Sequence, residues 1–270
     1  GVLDQFSENV DFFTEFERFG RHIEKLDAID KKIDFISICS PNYLHDAHIG
    51  FALKNKADAI CEKPLVINPW NLNVLEKIEK ETGKNVYGIM QLRLHPSIKK
   101  LKERIERENK EKKYEVDLNY IASRGKWYLH SWKGDVTKSG GLAMNLGVHF
   151  FDMLLWIFGK MISFEMYCNE PEKMQGFLEL EKAKVQWILS CDKENLPEEA
   201  KIQGKSTYRS IKVDGEELEF SEGFSDLHTK SYEEIFAGRG FRIRDMRPAI
   251  ELIHKLKNSP IVAPKKNINN

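Results

Sequence analysis

Four short stretches of this 270-residue chain combine residue types that do chemistry. The first is Glu62-Lys63-Pro64, directly after the apolar residues 57–61. A proline forces an extended approach, which fixes where the preceding lysine points. A lysine held at the end of a buried strand loses part of its hydration, and its pKa falls toward the range of proton transfer. Taken alone, the tripeptide more often marks a solvated surface lysine. The second stretch is Ser139-Gly140-Gly141, followed by Asn145, Gly147 and His149. Two glycines allow close backbone approach, and Asn145 and His149, four apart, share one helical face. An imidazole of ordinary pKa ~6.5 can accept a hydroxyl proton, although a lone histidine on an apolar face is more often a satisfied core residue.

The third stretch, residues 124–133, carries Arg124, Lys126, His130 and Lys133 interleaved with Trp127, Tyr128 and Trp132, and no acid intervenes before Asp135. Charge-assisted hydrogen bonds from such cations clamp a carboxylate or diphosphate while aromatic faces pack on a sugar ring. The plainer alternative is a solvated loop with aromatic anchors in the core. The fourth is Ser40-Pro41-Asn42 with His45, a polar cluster after the apolar residues 33–39. His45 and His48 lack an accompanying cysteine or acid in a ligand pattern, so no metal site is expected.

Lys plus Arg and Asp plus Glu each number 42, so the net charge is zero. No global basic field exists to hold nucleic acid or an anionic membrane, and neither is an expected partner. Hydrophobic residues at 41% and charged residues at 31% describe a folded globular chain. The longest apolar run, residues 148–158, is broken by Asp152 and falls short of the ~20 residues that span a bilayer. The first residues lack the cationic-then-apolar order of a signal peptide. Cys39, Cys61, Cys168 and Cys191 are scattered in strand-like stretches, which predicts buried thiols in a reducing cytoplasm.

The elements that must position these residues alternate in the first half. Residues 33–39, 57–61 and 86–92 read as strands, and residues 43–54 as a helix. A further helix starts at Asn68-Pro69 and stops at Gly83. All three strands end in polar residues, Ser40 to Asn42, Glu62-Lys63 and Gln91 to Arg93, where open parallel sheets collect ligand groups. After a charged helix over 96–109 the pattern changes to period two. Tyr114, Val116, Leu118 and Tyr120 alternate with Glu115, Asp117 and Asn119, and residues 185–191 alternate likewise. These segments predict a mostly antiparallel sheet with one covered face, crossed by an apolar helix over 142–158. Asp214-Gly215 is a hairpin turn of type I′. A last helix starts near Asp245. The expected domains are 1–94, a partial dinucleotide-binding unit; 95–240, a substrate and oligomerisation unit; and 241–270, a helix and tail packing back on the first.

Together, Pro41, Asn42, His45, Glu62, Lys63, Pro64, Gly140, Gly141, Asn145 and His149 resemble the pattern of the glucose-fructose oxidoreductase and inositol dehydrogenase family of nicotinamide-dependent sugar oxidoreductases. The likeness runs over nearly the whole chain. Many members carry Asp where this chain has Asn145. Residues 91–96, 123–128, 131–135 and 147–152 look more specifically like the branch that oxidises UDP-N-acetylglucosaminuronate at the sugar C3 hydroxyl. The resemblance implies an α/β plus α+β fold, with an incomplete Rossmann-type parallel sheet followed by an open, mostly antiparallel sheet. It also implies a cytoplasmic NAD-dependent dehydrogenase of surface-polysaccharide sugar biosynthesis, with NADP left open. Another sugar or inositol dehydrogenase of the family, or a non-catalytic sugar-nucleotide-binding relative, is the alternative.

On that resemblance Lys63, His149 and Asn145 would be catalytic, with His149 taking the hydroxyl proton and Lys63 hydrogen-bonding the same oxygen and relaying its proton; which of the two is formally the base is left open by the sequence. Ser40, Pro41, Asn42, His45, Glu62, Lys63, Gln91 and Trp132 would line the cofactor. Arg93, Arg124, Lys126, Trp127, Tyr128, Lys133, Asn145 and His149 would meet the UDP-sugar. None of the 17 glycines falls in the Gly-x-Gly-x-x-Gly spacing that cradles a pyrophosphate. By comparison with the family, roughly 40 residues of a first β-α-β unit are expected ahead of Gly1, and the present chain alone is expected to bind NAD poorly. The open face of the second sheet is expected to be apolar and covered by another subunit in a dimer or tetramer.

Overall fold

The computed structural model describes residues 10–108, 111–218 and 226–264. Helix α1 (Phe16–Ala28) precedes β1 (Phe35–Ile38), α2 (His45–Lys54), β2 (Asp58–Cys61), α3 (Pro69–Thr82) and β3 (Val86–Gly88). Strands β1, β2 and β3 are parallel neighbours, with Ile38 beside Cys61 and Cys61 beside Gly88. Their carboxyl ends therefore lie side by side. Asn68 occupies the position before α3, Pro69 opens it, and Gly83 closes it at φ 69°, where only glycine is unstrained. The third strand is shorter than its apolar pattern. After Gly88 the backbone turns through a 3₁₀ segment at Gln91–Leu94, and that turn sends Arg93 inward to the carboxylate of Asp152.

Helix α4 (Pro96–Arg107) leads to β4 (Tyr114–Ala122), followed by α5 (Lys126–His130), α6 (Val136–Ser139) and α7 (Val148–Phe158). The second sheet then builds from β5 (Met161–Asn169), β6 (Lys173–Leu180), β7 (Ala183–Ser190), and, after α8 (Glu198–Ile202), β8 (Thr207–Val213) and β9 (Glu216–Glu217). Its order is β5-β6-β7-β4-β8-β9. All its pairings are antiparallel except β4 with β7. Asp214 and Gly215 both take positive φ, 51° and 80°, as the type I′ turn between β8 and β9 demands.

Tyr114, Val116, Leu118 and Tyr120 face inward with Val185, Trp187 and Leu189. Helix α7 lies across them: Phe151 meets Trp187 edge-on at 5.1 Å, and Phe150 meets Tyr120 at 4.6 Å. The segment Val136–Phe158 is apolar and long enough, by composition, to cross a membrane. The chain breaks it at Gly140, a left-handed cap, and buries most of it against the sheet. The opposite face of the sheet is not the apolar surface expected. Glu115, Asp117, Lys184 and Gln186 are exposed there, with Phe177 and Ile188 half-buried among them.

The chain then returns to the first sheet through α9 (Leu227–Phe236), β10 (Phe241–Arg242) and α10 (Ile243–Lys257). Strand β10 adds to β3 in antiparallel fashion. Beyond α10, Ile261 bridges to Met166 on the edge strand β5. Two of the cysteines depart from the buried state expected of all four: Cys39 is exposed and Cys168 only half-buried. The sequence places the strands of this hairpin at 210–213 and 217–220, and residues 219 and 220 lie outside the described residues.

Candidate active site

Three of the four sequence stretches meet where β1 and β2 end. Asn42, 5% exposed, donates from Nδ2 to Ser139 O at 2.8 Å and lies 3.5 Å from Asn145 Oδ1. Lys63 Nζ donates to Asn145 O at 2.7 Å. The loop after β1 and the turn after β2 are thereby joined to the start of the apolar helix, 82 residues further along. Asn145 in turn donates from Nδ2 to the Tyr128 hydroxyl at 2.8 Å, so the third stretch is tied in as well.

The helix that supplies Asn145 and His149 does not start as a plain α-helix. Residues Ala143–Gly147 form a π-helical turn that runs into α7, a wider turn that recurs at functional sites. A side chain at Gly147 would have its Cβ 2.6 Å from Leu189 Cδ1, so glycine there lets the turn sit down on β7. Gly140 and Gly141 before it both adopt φ of +83°.

Burial is the dominant influence on the site's titrating groups. It brings the Lys63 ammonium, enclosed although the residue as a whole keeps some exposure, down from 10.5 to about 8. Glu62 opposes that fall, while Lys133 and Arg124 add to it. The His149 imidazole is driven well below its ordinary value by burial first and then by Lys63, His228 and Arg209. Its Nδ1 is buried with no hydrogen-bond partner among the described residues, as is Gln91 Oε1. A buried polar atom without a partner is costly, and both atoms belong to stretches singled out from the sequence.

The third stretch stays open to solvent. Arg124, Lys126 and Trp127 are exposed, Tyr128 is buried, and Trp132 and Lys133 are half-buried. The Lys133 ammonium rides 5.4 Å from the Trp127 ring centre and 5.7 Å from that of Trp132. Two expected site residues are buried and bonded within the fold. Arg93 is 7% exposed; it makes a bidentate pair with Asp152 at 2.7 and 2.6 Å and donates to Asp245 O at 2.8 Å. Trp156 and Phe241 cover its guanidinium. His45 is fully buried, and its two ring nitrogens lie 2.7 Å from Pro64 O and Ser40 O. It holds the loop after β1 against the turn that carries Lys63.

His228 was not foreseen. It lies in the first turn of α9, and its Nε2 is 3.1 Å from Glu62 Oε1. The two residues are 166 positions apart, and no local spacing announces such a pair.

Comparison with known proteins agrees with this layout. Residues 1–88 match the NAD-binding Rossmann fold of an oxidoreductase family, GFO_IDH_MocA, and residues 102–196 match the C-terminal alpha/beta domain of the same family. The WlbA (WbpB) dehydrogenase from Thermus thermophilus, solved with NAD and alpha-ketoglutarate, is 46% identical with a TM-score of 0.94. That alignment covers 98% of this chain and 85% of the other. The same dehydrogenase solved with NAD and UDP-GlcNAcA gives a TM-score of 0.93 at the same identity and coverage. YteT of Bacillus subtilis (strain 168) is 32% identical over 142 residues, which is 50% of this chain and 33% of YteT. The chain's match thus spans about a third of the length of that curated relative. The parallel strands whose ends carry Glu62-Lys63-Pro64, the strands β4 to β7 of the second sheet, and the two-glycine turn leading to His149 fall within the two family matches, and the chain belongs to the GFO/IDH/MocA oxidoreductase family.

Proposed function

We propose that this chain carries the reacting groups of an NAD-dependent dehydrogenase that oxidises the C3 hydroxyl of a UDP-linked acetamido uronic acid to the 3-keto sugar. The observation that carries the reading is the meeting of Lys63, Asn145 and His149 at the ends of the parallel strands. It occurs in a chain 46% identical to a dehydrogenase solved with NAD and UDP-GlcNAcA. When bound, the nicotinamide supplies a hydride acceptor for the C3 hydrogen. Ser40, Pro41, Asn42, Glu62, Gln91 and Trp132 are the residues that would hold it. The buried, unpartnered Gln91 Oε1 fits an amide-bearing ligand, since it needs a donor.

The hydroxyl proton must go to a protein group as the C3–H bond breaks. The sequence leaves this between His149 and Lys63, and an imidazolium at the buried His149, beside Lys63 and Arg209, is costly to form. Lys63, with its pKa near 8, accepts the proton in its neutral form, and Glu62 favours the ammonium that results. His149 stays neutral and hydrogen-bonds the same oxygen, and Asn145, held by Tyr128, keeps Lys63 in place. Arg124, Lys126 and Lys133 would meet the carboxylate and diphosphate, with Trp127 and Trp132 against the sugar.

The domain limits of 1–94, 95–240 and 241–270, a cytoplasmic location, and a dimer or tetramer formed through the open face of the second sheet belong to the same reading. The test is the absorbance of reduced nicotinamide when the full-length protein, NAD and a panel of UDP-sugars are mixed, with NMR of the product. Oxidation at C3 of the uronic acid is the expected result. No absorbance change with any member of the panel, or a keto group on another carbon, overturns the reading.

A further inference from the structure

We propose that Lys257, the last residue of α10, is a positioning residue for this site: its ammonium fixes the two-glycine turn from which the helix carrying Asn145 and His149 starts. The proposal rests on the reading of Lys63 and His149 as the reacting groups.

Three consecutive carbonyls in the turn are each taken by a donor from a different place. Ser139 O accepts from Asn42 Nδ2, Gly140 O from Lys257 Nζ, and Gly141 O from the Asn145 amide. The Gly141 amide donates to Ser139 Oγ at 3.0 Å. Two adjacent glycines at φ +83° have no side chains to hold that conformation, and glycine loses more backbone freedom on ordering than any other residue. The turn is therefore as rigid as its external ties. Asn42 supplies one from the first sheet, and Lys257 supplies the other from the carboxyl end of the chain.

Lys257 is itself clipped at both ends. Its carbonyl accepts from Asn169 Nδ2 at 3.1 Å, which anchors it to the end of β5. Its side chain also packs along Gly141, where a Cβ would lie 3.7 Å from Cε. Burial lowers the pKa of its ammonium. A partly desolvated amine bonded to a single backbone carbonyl is a placement the fold maintains against its hydration cost. Gly141 and Lys257 line a cavity of about 230 Å³ together with Tyr128, Lys133 and Val136, so on that side the turn has open space beside its contacts with Lys257 and Val136. Without the lysine, the turn can relax into this space, carrying Asn145 O away from Lys63.

The experiment compares Lys257→Met and Lys257→Arg with wild type, all in the full-length protein, by hydrogen exchange and by steady-state kinetics. In Lys257→Met, exchange should rise at least tenfold in residues 139–149, including the Asn145 amide, while β4 and β7 stay protected. Its kcat should fall ~10- to 100-fold, the range expected when a reacting group is misplaced by about 1 Å, with KM within threefold. Lys257→Arg, which keeps a donor, should recover most of both losses. If Lys257→Met does not fold, Lys257→Gln, which is shorter but polar, replaces it with the same expectations. Unchanged exchange in 139–149, a rise spread evenly over the chain, or wild-type kcat with a loosened turn would each overturn the proposal. If the full-length wild-type protein oxidises no UDP-sugar, the functional reading falls by itself, and the exchange arm still decides whether Lys257 holds the turn.

Discussion

Replacing Lys63 with Met should abolish activity and raise stability at neutral pH. The enclosed ammonium has its pKa at about 8 in the folded chain against an ordinary 10.5, which is about 3 kcal/mol at roughly 1.4 kcal/mol per pH unit. The sign follows from proton counting. Between pH 8 and 10.5 the unfolded chain holds more protons at this residue than the folded one. Stability from this group therefore rises with pH across that window, and below pH 8 the whole cost of burying the charge is present. Methionine has a similar length and no charge to desolvate. Its substitution also removes the hydrogen bond from Nζ to Asn145 O, worth about 1 to 2 kcal/mol. The expected gain at pH 7 is about 1 to 2 kcal/mol, a rise in Tm of roughly 2 to 8 °C for a domain of this size. Urea or thermal unfolding at pH 7 and at pH 10 measures it. The advantage of Lys63→Met should shrink at the higher pH as the wild-type residue sheds its proton. A variant less stable than wild type at pH 7, or an advantage that does not change with pH, refutes desolvation of Lys63 as the cause of its lowered pKa.

With neutral Lys63 as the proton acceptor, kcat/KM for sugar oxidation should rise through a pKa near 8; a profile flat from pH 6 to 9 would count against it. Lys63→Ala and His149→Ala should each lower kcat by ~10² or more with sugar-nucleotide binding within a few fold, and wild-type turnover in either removes that residue from the reaction. Arg124→Ala and Lys126→Ala should weaken the uronic acid substrate more than uncharged UDP-N-acetylglucosamine; equal losses would show that these cations do not read the carboxylate. Arg93→Met, which strands the buried Asp152 carboxylate, should cost about 3 to 5 kcal/mol in urea unfolding, and a loss below about 1 kcal/mol would mean the pair is not what joins the two segments.

The parts of this molecule that were legible in its sequence are those written in local periodicity or in a conformation only one residue type adopts. Alternation from Tyr114 to Tyr120 names the inward face of β4 because period two is a property of any strand, and those residues are buried as a set. Asn68-Pro69 and Gly83 mark the ends of α3, and Asp214-Gly215 marks a hairpin, for equally local reasons. The candidate site was legible to the extent that its residues sit at strand ends or beside glycines. Lys63, Asn42 and Asn145 were singled out on that ground, and Asn145 lies within hydrogen-bonding reach of both of the others.

What local pattern cannot carry is the choice among cations, because Arg93 and Arg124 look alike until their partners are known. The guanidinium of Arg93 finds Asp152, 59 positions away, and becomes part of the core. Arg124, with no ion-pair partner among the described residues, stays exposed and available. The same limit hid His228, whose partner Glu62 comes from the other end of the fold, and Lys257, whose target is a carbonyl that any residue would supply. It also explains the open face of the second sheet. Alternation says which positions point outward, but whether those positions are bare or covered depends on residues from neighbouring strands, and Glu115 with Lys184, and Asp117 with Gln186, give that face its polar surface. Charge arranged this way admits a subunit contact made of ion pairs and hydrogen bonds around Phe177 and Ile188, and such a contact should weaken as salt rises.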